Sequence, residues 1–294
     1  MRILLLLAIS LFLTACNSTP KRDDYTQHVN RQTDAISQDN FTFTFETKEN
    51  FDIRGVYSQD STIDDKPIMY SGAAGVAGMV AQIAAHAATS SAFQNSKLAQ
   101  QQLEANNAVA EFIKLTEDFK NEDFIDNYKQ FYVSTPEATT VFIKPIYFVN
   151  EKMNQVTVKA KVWIVDKKSK SRKPVYIYKN LVSVTSKVIT NEQRQVIFSG
   201  GSEQLRKHFS GLLGNLIELA QSELAFSFKN SNAKEASHIV LVNGKNKLIR
   251  GKVVAQDCQY TTIQNTRKWL LRYANELLNN WQSCEQSVQN SVAI

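Results

Sequence analysis

The sequence predicts an α+β fold, with an antiparallel sheet or meander packed against helices. Residues 155–165 alternate apolar and polar side chains, and residues 175–189 are long enough to pair with them across the loop 166–174. Segments with helical spacing come in runs before and after these strands, whereas a parallel βαβ protein alternates the two. We therefore expect a meander, a second small hairpin and a C-terminal helix.

The folded body is predicted to begin at Phe41. Phe41, Phe43 and Phe45 alternate with polar residues, which is the period of a half-buried strand. A helical insertion then covers 71–132. It consists of a Gly/Ala-rich segment, a helix over 97–119 and a shorter helix over 122–132.

Three strand candidates follow this insertion, over 139–149, 155–165 and 175–189. Pro145 has no N–H to donate to a ladder, which predicts that 139–149 is an edge or bulged strand. The middle candidate places five small or branched side chains on one face: Val156, Val158, Ala160, Val162 and Ile164. Together with the helical insertion, these strands define a predicted region 41–200.

The remaining region, 201–294, is predicted to contain a helix, a β-hairpin and a C-terminal helix. The first helix follows Gly200 and Gly201, with Ser202 as its N-cap, and runs to about residue 228. The hairpin pairs 237–242 with 247–255 through a turn at Asn243-Gly244, a pair that tolerates positive φ. Apolar residues at helical spacing predict the last helix over 263–286.

Composition and charge exclude several classes of protein. Ten glycines and five prolines in 294 residues exclude a collagen-like or low-complexity chain. Lysine and arginine exceed aspartate and glutamate by 6, and the excess is spread along the chain. This predicts a mildly basic surface, so we expect no nucleic-acid partner.

The first sixteen residues predict secretion and a lipid anchor. A cationic start at Arg2 precedes an apolar stretch over 3–13, which is too short to span a bilayer. The motif Leu13-Thr14-Ala15-Cys16 directly follows and resembles the lipobox of bacterial lipoproteins. The resemblance implies removal of a signal peptide, 1–15, and acylation of Cys16, the alternative being an ordinary signal peptide cut nearby. Two or three acyl chains anchor a protein stably.

The residues from Cys16 onward predict a cellular location and a linker. Asn17, rather than aspartate, after the acylated cysteine implies sorting to the outer membrane, with the body facing the periplasm. Residues 16–40 contain little apolar material and no regular period, which predicts a flexible tether after the anchor.

No catalytic or metal-binding motif is recognisable. His28, His86, His208 and His238 are isolated, without a second ligand at the spacing of a zinc site. The stretch Gly200-Gly201-Ser202 lacks the final glycine of a nucleophile elbow. We therefore expect no cofactor, no metal and no enzymatic activity.

Cys258 and Cys284 are the two thiols of the predicted body, in a compartment that oxidises thiols. A disulfide bond between them would close a loop and contribute roughly 3 kcal/mol to the free energy of unfolding. A straight helix from 263 to 284 would hold the two residues too far apart. Either that helix is broken near 273–275, or the cysteines pair otherwise.

Two features suggest an interaction. Small residues recur through the Gly/Ala-rich segment 72–93, which predicts close helix packing. The segment would pack within the fold, insert into the membrane, or mediate self-association or contact with an envelope protein partner. The turn after 165 carries Lys167, Lys168, Lys170, Arg172 and Lys173. These cations would either contact anionic lipid or envelope polymer, or simply form a solvated hairpin tip.

These observations predict a lipid-anchored envelope protein of the outer membrane with a structural, assembly or interaction role. The alternative is a periplasmic hydrolase acting on a cell-envelope polymer, which a cleft collecting a carboxylate and a histidine with perturbed pKa values would favour. A carrier of small lipids would instead need an apolar cavity between sheet and helices.

Overall fold

The computed structural model describes residues 25–32, 34, 36–46, 51–57, 96–228 and 233–279. The chain divides into two compact units, Met1–Asp23 with Tyr57–Ala105 and Asp24–Val56 with Asn106–Ile294. In the first unit the described residues are Tyr57 and 96–105, and 96–105 are helical. The Gly/Ala-rich segment 72–93 lies outside the described residues.

The second unit contains all the strands of the described chain. They are β1 (Val29–Asn30), β2 (Phe43–Phe45), β3 (Ile53–Gly55), β4 (Val141–Val149), β5 (Val156–Val165), β6 (Tyr176–Thr185), β7 (Ala236–Val242), β8 (Lys245–Gln256), β9 (Tyr260–Asn265) and β10 (Leu270–Ala274). Its helices are α1 (Ala110–Lys114), α2 (Asn191–Phe198) and α3 (Ser202–Leu224). Short 3-10 turns cover Gln38–Asn40, Asn121–Phe124, Asp126–Phe131 and Asn275–Leu277.

The strands form one mixed sheet in the order β2-β4-β5-β6-β10-β9-β8-β7, with β1 on β6 and β3 on β4. The α+β prediction is confirmed, but the sheet is not purely antiparallel. Two antiparallel meanders, β4-β5-β6 and β7-β8-β9-β10, meet where β10 pairs in parallel with β6. This pairing joins residues on both sides of the boundary predicted at 200.

The strand around Pro145, predicted to be an edge or bulged strand, is instead an interior strand. β2 pairs with Val141–Ile143 and β3 pairs with Tyr147–Val149, both on the side opposite β5. Pro145 therefore faces the gap between β2 and β3. No strand residue of the described chain is paired with it on that side, so its missing N–H removes no hydrogen bond of the sheet. The sheet accommodates the proline through a gap in the neighbouring strand.

The predicted C-terminal helix over 263–286 is wrong for the residues that the structure describes. Residues 260–274 form the hairpin β9–β10, and its turn includes Lys268 at φ 66°. Leu270 and Leu271 belong to different hydrophobic clusters, on opposite faces of the sheet. A strand that is buried on both faces has apolar residues whose spacing resembles that of a helical stripe. The apolar pattern of this segment therefore fits both a helix and a hairpin.

Helix α3 covers one face of the sheet and organises the larger core. It packs on β5 and β6 through buried residues that include Phe209, Leu213 and Leu216. Its N-cap is Gly201 rather than Ser202, and it ends at Leu224. On the opposite face, the hairpin β7–β8 encloses a smaller cluster around Ile263 and Tyr273. The predicted Asn243-Gly244 turn is confirmed, with φ of 55° and 72°.

The predicted flexible tether does not describe the chain from Tyr25 onward. The indole Nε1 of Trp269 donates to the Thr26 carbonyl at 3.0 Å, and β1 pairs with β6. Further along, the Ile36 N–H donates to the Leu224 carbonyl at 3.2 Å. These contacts fix a polar segment whose composition alone resembles a linker.

Candidate functional site

A pocket of about 440 Å³ lies beside the N-terminal segment, the end of α3 and strands β8 and β9. We call it the polar pocket, because its lining includes His28, Gln32, Glu223, Lys252, Gln264 and Lys268. These side chains come from four separate parts of the sequence, and all of them belong to the second unit. The fold therefore assembles the site from residues that no local motif connects.

Glu223, in the last turn of α3, is the buried acid of the pocket. It is 8% exposed, the Tyr178 hydroxyl donates to its carboxylate, and Asn180 Nδ2 donates to its two oxygens at 2.8 and 2.9 Å. Burial raises the pKa of Glu223 to about 7, against the opposing effect of these hydrogen bonds. A carboxyl group with this pKa exchanges its proton near neutral pH.

Asn180 connects the acid to the turn between β9 and β10. Besides the carboxylate, its Nδ2 donates to the Lys268 carbonyl at 3.0 Å. This hydrogen bond holds a residue whose φ is 66°, in the left-handed region that residues other than glycine rarely adopt. Phe226, which also lines the pocket, has a φ of 57°. Two strained positions thus border the same cavity, a placement that is enriched at functional sites.

His28 lies against the same network. Its ring stands edge-on to Tyr178 with centroids 6.5 Å apart. Burial lowers the pKa of His28, its hydrogen bond with Asn180 raises it, and the nearby Lys268 charge lowers it further. The net direction is downward, so the imidazole is neutral at neutral pH.

Two buried polar atoms around the pocket have no hydrogen-bond partner in the described part of the chain. They are Nδ1 of His28 and Oε1 of Gln32. Most buried polar atoms in folded proteins are paired, so each exception needs an explanation. Here both belong to residues that line the cavity.

The predicted cationic cluster lies elsewhere, at the turn between β5 and β6. All five of its side chains are exposed, and Lys167 Nζ donates to the Pro136 carbonyl at 3.0 Å. None of the five lines the polar pocket. The five cations are thus exposed at a hairpin tip. This position is compatible both with contact with an anionic surface and with simple solvation.

A larger open groove, of about 850 Å³, lies between residues 31–42 and the β5–β6 hairpin. Asp34, Asp39, Glu137 and Asp166 give it an acidic lining. Within the residues that the structure describes, no group of three or more histidine, cysteine, aspartate or glutamate side chains could hold a metal ion.

The predicted cysteine pair is only partly visible. Cys258 lies in the exposed turn between β8 and β9 and is disulfide-bonded. Cys16 and Cys284 lie outside the described residues, so the pairing with Cys284 stays a prediction. The geometric objection to it disappears, because Asn275 N–H donates to the Gln259 carbonyl at 2.9 Å. The chain thus returns beside Cys258 nine residues before Cys284, a span that reaches about 30 Å.

Sequence reasoning identified His28 as an isolated histidine and did not identify Glu223, Lys252 or Lys268. The signal that would have found them is the pairing of the N-terminal segment with β6, which a polar sequence does not reveal. Across the described ranges, no helix combines the length and apolar character that a membrane crossing requires. Comparison with protein-family models, curated proteins and solved structures gives no match.

Proposed function

We propose that this protein is a lipid-anchored envelope protein, held in the outer membrane through Cys16 and facing the periplasm. In this proposal its role is structural, in assembly or in interaction, without catalysis. The structural observation that supports it is the seating of the N-terminal segment on the sheet from Tyr25 onward. Because this segment is fixed to the sheet, the folded body would lie close to the lipid anchor.

The short distance from the anchor to the body carries this argument. Tyr25 comes nine positions after Cys16, and the chain between them spans at most about 30 Å. The Tyr25 ring packs edge-on against Trp269 with centroids 5.2 Å apart, and the Arg267 guanidinium lies 5.1 Å from the Trp269 ring centroid. An acylated Cys16 would therefore hold the β9–β10 turn near the lipid surface.

Cations at the same end of the sheet support contact with anionic head groups. Because β6 and β10 are parallel, the β5–β6 turn and the β9–β10 turn lie at the same end. The first turn carries the five exposed cations of 167–173, and the second carries exposed Arg267 and Lys268. A cation near an anionic membrane contributes about 1 kcal/mol of binding free energy.

The experiment is a comparison of wild type with Cys16→Ala in cells. We expect wild type in the outer-membrane fraction with the mass of an acylated chain starting at Cys16, and the variant unprocessed or mis-sorted. Crosslinking followed by mass spectrometry should then identify a defined envelope partner of the wild type. A variant that stays in the outer membrane with the wild-type mass would refute the anchor.

A hydrolase acting on a cell-envelope polymer is the second candidate, and the polar pocket is the observation that favours it. Glu223, with a pKa of about 7, could act as a general acid, and neutral His28 could accept a proton. The test is release of soluble fragments from purified cell-wall sacculi. Release that Glu223→Gln abolishes while Glu203→Gln, an exposed position on the same helix, preserves would establish this candidate over the non-enzymatic one.

A further inference from the structure

The polar pocket combines two features that the anchoring role does not use. Two ammonium groups, of Lys252 and Lys268, belong to residues that line it, and two buried polar atoms of lining residues, His28 Nδ1 and Gln32 Oε1, have no hydrogen-bond partner among the described residues. We propose that the polar pocket binds a small hydroxylated organic anion, namely a polyol or sugar that carries a phosphate or carboxylate group. This inference holds whether or not Cys16 is acylated.

The two lysines specify the anionic part of the ligand. Lys252 lies on β8 and Lys268 on the β9–β10 turn, so they approach the pocket from neighbouring parts of the sheet. Among the described residues of the lining, Glu223 is the one carboxyl group, and it is engaged by Tyr178 and Asn180. These described residues therefore carry a net positive charge even when Glu223 is ionised. Lysine ammonium groups are compact point charges that suit phosphate and carboxylate oxygens.

The unpaired acceptors specify the hydroxyl groups. Nδ1 of His28 is buried without a partner in the described chain, and it is a lone-pair acceptor when the neutral imidazole carries its proton on Nε2. Gln32 Oε1 is likewise an acceptor without a partner. A ligand hydroxyl supplies a donor for such atoms, whereas a fully deprotonated anionic group supplies none. A deprotonated anion without hydroxyl groups would contact the lysines but leave both atoms unpaired.

The size of the cavity agrees with a ligand of this class. About 440 Å³ falls in the range of roughly 300–1,000 Å³ that small-molecule pockets occupy. The backbone around it is fixed by the Asn180 hydrogen bond to Lys268 and by the Gln32 Nε2 hydrogen bond to the Leu224 carbonyl at 3.4 Å. The site is thus formed before a ligand arrives, which lowers the entropic cost of binding.

The test uses the purified full-length protein in a non-ionic detergent and three matched probes. Glycerol 1-phosphate carries both features, glycerol carries only hydroxyl groups, and propyl phosphate carries only the anion. Ligand-observed NMR titrations give the dissociation constants. We expect glycerol 1-phosphate to bind at least tenfold more tightly than either of the other two. Equal affinity for glycerol 1-phosphate and propyl phosphate would overturn the proposal. So would the absence of binding of every probe at a probe concentration of about 10 mM, ten times the dissociation constant of a weak site.

Variants locate the binding in the pocket. Lys252→Gln and Lys268→Gln should each weaken glycerol 1-phosphate binding at least fivefold, whereas Lys245→Gln, an exposed cation on β8, should leave it unchanged. His28→Phe should remove the advantage of glycerol 1-phosphate over propyl phosphate. Circular dichroism verifies that each variant is folded. Binding that all the lysine variants retain would refute the site.

A fourth probe distinguishes a lipid head group from a free metabolite as the source of the ligand. Dihexanoyl phosphatidylglycerol presents a glycerol phosphate unit on a soluble lipid. Competition with glycerol 1-phosphate for the wild type, lost in Lys268→Gln, would assign a lipid head group. Binding of glycerol 1-phosphate without competition from the lipid would assign a free hydroxylated anion. Repeating the titration with Cys16→Ala separates this result from the fate of the anchor.

Discussion

The buried carboxyl of Glu223 makes the stability of the protein depend on pH in a predictable direction. The pKa of Glu223 is raised from 4.5 to about 7 by burial between α3 and β6. The groups that face it are Tyr178 and Asn180 on β6, His28 on the N-terminal segment, and Lys252 and Lys268 across the pocket. The substitution Glu223→Gln removes the titration while retaining the shape of the side chain.

The magnitude follows from the difference between folded and unfolded pKa values. Below pH 4.5 the carboxyl is protonated in both states and carries no ionisation penalty. Between pH 4.5 and 7 the unfolded state ionises first, so the free energy of unfolding falls by about 1.4 kcal/mol per pH unit. The stability that the protonated group provides is lost by the time the pH exceeds 7, a total of about 3 kcal/mol.

Urea denaturation followed by tryptophan fluorescence, at pH values from 4.5 to 8.5, measures this effect. The free energy of unfolding of wild type minus that of Glu223→Gln should fall by about 3 kcal/mol over that range. The same difference for Glu203→Gln, which removes an exposed carboxylate from α3, should stay nearly constant. A difference that rises with pH would mean that Tyr178 and Asn180 stabilise the anion by more than burial destabilises it, and would refute the reasoning.

Further substitutions test the fold and the network. Gly251→Ala should destabilise by roughly 1–3 kcal/mol in urea denaturation, because a Cβ there would lie 2.4 Å from the Gln264 carbonyl oxygen; a neutral result would contradict the close approach. Gly211→Ala, where nothing lies within 4 Å, should stabilise α3 by about 0.5–1 kcal/mol and serves as its control. Arg272→Met should cost roughly 2 kcal/mol, because the buried guanidinium donates to Asn215 Oδ1 at 2.9 Å and to Thr262; unchanged stability would show that the contact is worth nothing net. Tyr178→Phe should shift the Glu223 transition to higher pH, since a donor to the carboxylate is lost, and a downward shift would contradict the assigned hydrogen bond.

The central strands were predictable because their physical signal is local. In β5, Val156, Val158, Ala160 and Val162 share a buried face, so alternation alone indicates both the strand and the face that it buries. The turn at Asn243-Gly244 was equally local, since it needs two residues that tolerate positive φ. Each of these features is decided by neighbours within a few positions in sequence.

The errors arose where contacts distant in sequence decide the conformation. β9 and β10 lie between two hydrophobic clusters, so buried residues on both faces replaced the alternation that marks a half-buried strand. The N-terminal segment contains few apolar residues, and its position depends on hydrogen bonds to Ile177, Leu224 and Trp269. Neither pairing has a signature within the segment itself.

The same non-local pairing explains why the candidate site could not be read from the sequence. Glu223 comes almost 200 positions after His28, and the pocket exists only because the N-terminal segment lies against β6 and the end of α3. That segment supplies His28 and Gln32 and, in the proposed function, also follows the lipid anchor directly. Its seating would therefore complete the pocket and position the body at the membrane in a single step. Any change that releases the segment from β6 removes both unpaired polar atoms from the cavity, so ligand binding at these atoms and seating of the segment favour each other by thermodynamic linkage.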